Sequence, residues 1–167
     1  DSVKNFFLTK KNKIKEQFYY NHRGIKCCKL NSDLTDVLIK KIFELTNPVK
    51  LANKDFLICA VGGYGRKHLA PYSDIDLLFV YNQKIPEKEL KRTIEQILYP
   101  LWDLGMKVGH AVRTFKEVIS LSKKEQIIKT SILDARLILG CNKVFKNIIT
   151  QYTKEFSKKA GIFLKEK

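Results

Sequence analysis

The amino-acid sequence predicts an α+β fold, a small mixed β-sheet flanked by helices, with additional helices at the N- and C-terminal ends. Three observations lead there. Two short apolar runs rich in β-formers, residues 56–61 and 76–81, flank a glycine-rich connection. Longer stretches around them place apolar residues at three- and four-residue spacing. Capping residues, glycines and prolines mark the boundaries between these stretches.

Taken in order, residues 2–20 are rich in lysine and aromatics and read as a helix carrying Phe7, Ile14 and Phe18. Residues 21–29 contain Gly24 and read as a connection. Asp33 can cap a second helix with Leu34, Val37, Leu38, Ile42 and Leu45 on one stripe. Asn47 and Pro48 stop it. Residues 56–61 and 76–81 are strands. Pro86 and Glu87 open a helix whose face carries Leu90, Ile94, Ile97, Leu98, Leu101 and Trp102, and Gly105 ends it. Residues 106–113 form a short third strand. Thr114-x-x-Glu117 and Ser122-x-x-Glu125 are capping boxes, so two helices follow, the second ending at Gly140. Asn142 caps a last helix bearing Phe145, Ile148, Ile149, Tyr152 and Phe156. The organisation is therefore an N-terminal helical segment (1–50), a catalytic core (51–140), and a C-terminal helix with the cut start of a further segment (141–167). The first residue is Asp1, which fits a piece of a longer protein.

A chain of 167 residues suits one domain with a real core. No stretch approaches the roughly 18 apolar residues of a membrane span, and no secretory signal stands out. Cys27, Cys28, Cys59 and Cys141 make no C-x-x-C pair, which is the cysteine usage of a cytoplasmic chain. Formal net charge is +15, from 32 basic and 17 acidic residues. Such a charge can serve a polyanion. The lysines are spread along the whole chain, which favours solvated helix faces over a nucleic-acid surface. Nucleic acid stays the alternative partner.

Chemistry concentrates in residues 61–80. The first apolar run enters Gly62 and Gly63. Eleven positions after Gly63, Asp74 and Asp76 open the second run. Alternation along a strand puts the two carboxylates on one face. Two adjacent hard-oxygen donors suit a divalent cation, Mg²⁺ or Mn²⁺, and either aspartate alone would read as a turn or cap. A glycine turn beside them lets backbone N–H groups approach phosphate. Gly65 allows a tight conformation. Arg66 can donate a bidentate pair to phosphate or make a surface ion pair. Ser73 bonds a phosphate oxygen or caps the turn. The pattern suggests metal-dependent nucleotidyl transfer.

Gly-Gly followed by Asp-x-Asp resembles the signature of DNA polymerase β-like nucleotidyltransferases. The fuller run Gly62-Gly63-Tyr64-Gly65-Arg66, then Leu69-Ala70-Pro71-Tyr72-Ser73-Asp74-Ile75-Asp76-Leu77-Leu78, is similar to the N-terminal catalytic domain of PII uridylyltransferases, bacterial nitrogen-sensing enzymes. Leu101-Trp102-Asp103, Val108 to Thr114 and Leu133 to Leu137 match in the same order. The resemblance runs from about Phe56 to about Phe145. It implies the nucleotidyltransferase fold and transfer of UMP from UTP to a tyrosine hydroxyl of PII protein, with Asp74 and Asp76 holding Mg²⁺. It also implies a longer parent carrying hydrolase and sensor domains.

Many members of the wider superfamily carry a third carboxylate on the next strand. Here that strand has none, and its candidate position is His110. His110 is a base, a substrate contact or a core histidine. Arg113 meets the triphosphate or pairs with Asp134 or Glu117. Asp134 and Arg136 read as a structural ion pair on a helix. Two rival functions stand beside this reading: nucleotidyl transfer to RNA or a small molecule, and nucleotide binding without turnover.

Overall fold

The computed structural model describes residues 2–46, 55–121 and 132–165. A four-stranded sheet in the order β3-β2-β1-β4 lies between two layers of helices. Strands β1 (Phe56–Ala60) and β2 (Ile75–Tyr81) are antiparallel, β2 and β3 (Val108–Thr114) are parallel, and β4 (Arg136–Leu139) is antiparallel to β1. The α+β class with a mixed sheet is as expected. No helix among the described residues is long and apolar enough to cross a membrane.

One layer contains α1 (Ser2–Asn21), α2 (Gly24–Thr46) and α4 (Glu87–Asp103). Leu38, Ile39, Ile42 and Phe43 of α2 and Leu90, Ile94, Ile97, Leu98 and Leu101 of α4 meet Phe56, Ile58, Ile75, Leu77 and Phe79 of the sheet. Phe56 stacks between Phe43 and Phe79, with ring centroids 6.0 and 6.1 Å apart. The other layer contains α5 (Phe115–Leu121) and α6 (Asn142–Lys165). Val118, Ile148 and Tyr152 cover Leu57, Cys59, Leu78 and Val80 there. Burial on both faces explains why β1 and most of β2 are continuously apolar.

Four expectations need correction. First, α2 begins at Gly24, not at Asp33, and the connection is only His22 and Arg23. Asp33 lies inside the helix and pairs with Lys67 at 2.5 Å, and its polar neighbours are satisfied within the helix. Ser32 Oγ donates to the Cys28 carbonyl and Thr35 Oγ1 to the Asn31 carbonyl, each at 2.8 Å. Second, Val37 and Leu45 of α2 and Trp102 of α4 are exposed, because the inward stripes run through neighbouring positions. Third, residues 136–139 form a strand where a helix up to Gly140 was expected. A short apolar run does not by itself distinguish the two, and β1 offers an open edge for it. Fourth, the sheet among the described residues therefore has four strands rather than three.

Other boundaries stand. Glu117 N donates to Thr114 Oγ1 at 3.1 Å and Thr114 N to Glu117 Oε2 at 2.6 Å, closing the capping box of α5. Gly105, at φ +72°, ends α4: its N–H reaches the Trp102 carbonyl, and the Met106 N–H reaches Leu101. The second capping box, at Ser122, lies outside the described residues, as does the stop at Asn47 and Pro48.

Candidate functional site

The site grows at one end of the antiparallel β1–β2 pair, where β1 finishes and β2 starts. After β1 the chain makes one helical turn, α3 (Gly62–Gly65), and β2 begins directly after Asp74. Gly65 N–H bonds the Val61 carbonyl at 3.0 Å, and His68 N–H bonds the Gly63 carbonyl at 2.8 Å. Val61 N–H bonds the Asp76 carbonyl at 3.1 Å, so the turn is tied to the backbone of the second aspartate. Glycine is required at 62, where φ is +59°. At Gly65 the demand is space, since a Cβ would stand 2.2 Å from the Asp134 carbonyl oxygen.

Asp74 and Asp76 are both exposed residues at the start of β2. The Asp76 carboxylate sits between two glycines. A Cβ on Gly62 would lie 3.3 Å from its Oδ2, and one on Gly109 would lie 2.8 Å from its Oδ1. Partial burial raises the Asp76 pKa, and the neighbouring Asp74 charge raises it further. A cation would reverse both effects. The donors are hard oxygens, and the two glycines leave the carboxylate free of side-chain cover, so the residues fit Mg²⁺ or Mn²⁺. Among the described residues no group of three or more His, Cys, Asp and Glu side chains gathers to hold a metal. Two protein carboxylates with substrate oxygens completing the shell is the arrangement Mg²⁺ commonly takes.

The parallel register pairs Asp76 with Gly109 and Leu77 with His110. Gly109, Ala111 and Arg113 therefore share the Asp76 face, and His110 belongs to the opposite one. There its ring meets Phe79 edge-on, with centroids 6.3 Å apart. The position beside the aspartates on β3 is thus Gly109, not His110. Arg113 Nη1 donates to the Val112 carbonyl at 2.8 Å. Arg66 pairs with Asp134, both at the surface. Ser73 is exposed in the turn ahead of Asp74, its N–H bonding the Ala70 carbonyl at 3.1 Å.

Behind the glycine turn stands a cluster that sequence reasoning missed. Arg136, the first residue of β4, grips Asp36 of α2 through Nη1 at 2.5 Å and Nη2 at 3.1 Å. It also donates to the carbonyls of Gly65 and Tyr64, both at 3.3 Å, and lies over the Tyr64 ring. Tyr64 Oη donates to Asp36 Oδ1 at 2.6 Å. Burial, then Asp36, pushes the Tyr64 pKa well up, so its hydroxyl stays a donor. The ion pair anticipated for Arg136 exists, but with a partner on α2. The glycine turn is thereby fastened to both a helix and an edge strand.

The nucleotidyltransferase domain family matches residues 35–139 of the chain. The bifunctional uridylyltransferase/uridylyl-removing enzyme of Phenylobacterium zucineum (strain HLK1) is 40% identical over 155 residues, covering 88% of this chain. That of Caulobacter vibrioides (strain NA1000 / CB15N) is 40% identical over 156 residues, with the same coverage. That of Azospirillum brasilense is 37% identical over 148 residues, or 85% of the chain. In each case the chain spans only 16% of the relative's length.

Proposed function

The chain belongs to the nucleotidyltransferase domain family, and from that premise we propose that it transfers UMP from UTP to a tyrosine hydroxyl of the PII signal protein, releasing pyrophosphate. The observation that carries this reading is the pair Asp74 and Asp76 beside the Gly62–Gly65 turn, with the Asp76 carboxylate open between two glycines. Uridine and PII come from the similarity to uridylyltransferases. Such an activity belongs in the cytoplasm.

Asp74 and Asp76 would hold Mg²⁺ or Mn²⁺, which when bound offsets triphosphate charge and polarises the phosphoryl oxygens. The chain's own residues position the substrates. The glycine turn around Gly62 and Gly63 brings backbone N–H groups to the phosphates, with Gly65 letting the turn pack against the Asp134 carbonyl. Ser73 contributes a hydroxyl at the turn's far end. Arg66 exchanges its Asp134 partner for phosphate when nucleotide arrives, an exchange made easy by the exposure of both side chains. Arg113, on the Asp76 face, contacts the substrate phosphates, whereas His110, on the opposite face against Phe79, takes no part at the aspartates. Arg136 and Asp36 hold the turn in place from behind.

Incubation with each of the four labelled nucleoside triphosphates, Mg²⁺ and PII protein tests this, scored by product mass. The expected result is one uridylyl group on PII with UTP alone. Unmodified PII with all four would overturn it. The net charge of +15 supports a second reading, transfer to RNA. That reading predicts tight RNA binding that weakens steeply with salt.

A further inference from the structure

Gly109 poses a question that neither the backbone nor the core answers. Its φ lies outside the left-handed region that favours glycine. Among the described residues, a Cβ there would meet one side chain only, the Asp76 carboxylate, at 2.8 Å from Oδ1 and 4.0 Å from Cγ. No turn is made at this position, since it lies within β3 and pairs with Asp76. The missing side chain therefore leaves space beside Asp76 and nothing else.

The two flanks of that carboxylate differ. Oδ2 faces Gly62 and the glycine turn, and Oδ1 faces Gly109 on β3. β3 is the outer strand of the described sheet, so beyond Gly109 the sheet ends. Displacement at a phosphorus atom runs with the attacking and leaving oxygens roughly in line. A triphosphate seated on the glycine turn sends its pyrophosphate out on the Gly62 flank. The attacking oxygen then needs the other flank.

We propose that the acceptor hydroxyl enters across Gly109, over the β3 edge of the sheet, and that Gly109 is the residue that keeps this approach open. The inference rests on the nucleotidyl-transfer reading above. In the step, the acceptor oxygen bonds the α-phosphorus. The bond from that phosphorus to the oxygen bridging to the β-phosphate breaks, and pyrophosphate leaves with the electron pair. The hydroxyl proton passes to water. A side chain at 109 would fill the opening on the Oδ1 flank. The predicted defect is therefore one of acceptor use, not of nucleotide binding.

The variant Gly109→Ala tests this, read out separately as UTP affinity with Mg²⁺ and as kcat/KM for PII. The expected result is at least a tenfold loss of kcat/KM for PII with UTP affinity within about threefold of the unaltered chain, which is only about 0.6 kcal/mol. Transfer within threefold of the unaltered chain would overturn the proposal, as would a loss of UTP affinity equal to the loss of transfer. Should Gly109→Ala not fold, amide exchange in the unaltered chain decides. PII added with a non-transferable UTP analogue should slow exchange at residues 107–111, and unchanged exchange there overturns the proposal. An unaltered chain that forms no pyrophosphate from UTP, Mg²⁺ and PII overturns the nucleotidyl-transfer reading and this inference together. Turnover without sensitivity at 109 overturns this inference alone.

Discussion

The Asp76 carboxylate is held where ionising it costs energy. Partial burial and then the Asp74 charge raise its pKa above the ordinary carboxylate value. In the unfolded chain it titrates near the ordinary value of about 3.9. Between that value and the raised one, the folded state keeps a proton that the unfolded state has lost. Stability therefore falls as pH rises through this window, and the loss persists above it. Asp74→Asn removes the repulsive share. Without divalent ions, its melting temperature at pH 7 should equal or exceed that of the unaltered chain, with the difference closing below about pH 4, where the carboxyl is protonated in both states. A lower melting temperature at every pH would contradict the electrostatic account. At this scale the aspartate pair and Gly62 were legible because they are close in sequence and carry distinctive chemistry. Gly109 was not, because its neighbour is known only once β2 and β3 are aligned. His110 was assigned to the Asp76 side for the same reason, and a one-residue step along a strand reverses the face.

The elements that hold the site are fewer than those that build the core. Asp36 on α2, Tyr64 in α3 and Arg136 on β4 join three elements at the glycine turn. Asp36 and Arg136 have side chains only 13% and 23% exposed, so removing one strands the other in partial burial. Asp36→Ala should cost about 3 kcal/mol, the low end for breaking a buried pair, read by urea unfolding. It should also weaken UTP binding as the turn loosens. Stability within about 0.5 kcal/mol, the range of a neutral surface change, would show that the cluster fastens nothing. Sequence periodicity revealed α4, β1 and β2, whose apolar patterns are long or continuous. It missed β4 and the true start of α2. A four-residue run has no clear period, and an aspartate inside a helix, as Asp33 is, reads in sequence like a cap. The Asp36–Arg136 pair spans 100 positions, and nothing local announces it.

Among the described residues, Asp74 and Asp76 stand exposed on a sheet covered by helices on both faces. The chain spans 16% of the bifunctional relatives it resembles. Removing a uridylyl group by hydrolysis would call for a separate cluster of ligands. The histidines are His22, His68 and His110, none followed by aspartate, and no described metal cluster gathers around them. Purified chain given uridylylated PII with Mg²⁺ or Mn²⁺, without pyrophosphate, should release no UMP. Steady release that survives Asp74→Asn would reveal a hydrolytic site apart from the aspartate pair.

The central claim is that Asp74 and Asp76 form the metal-dependent centre of nucleotidyl transfer. It is tested most directly by pyrophosphate release from UTP in the presence of PII, for the unaltered chain and for Asp76→Asn, with Mg²⁺ and with chelator. Asp76→Asn keeps the side chain's shape and removes its charge. The account predicts Mg²⁺-dependent release by the unaltered chain and a loss of more than tenfold, over about 1.4 kcal/mol of barrier, in a variant that melts no lower than the unaltered chain. Release that persists in chelator, or an Asp76→Asn chain within tenfold of the unaltered one, would contradict it.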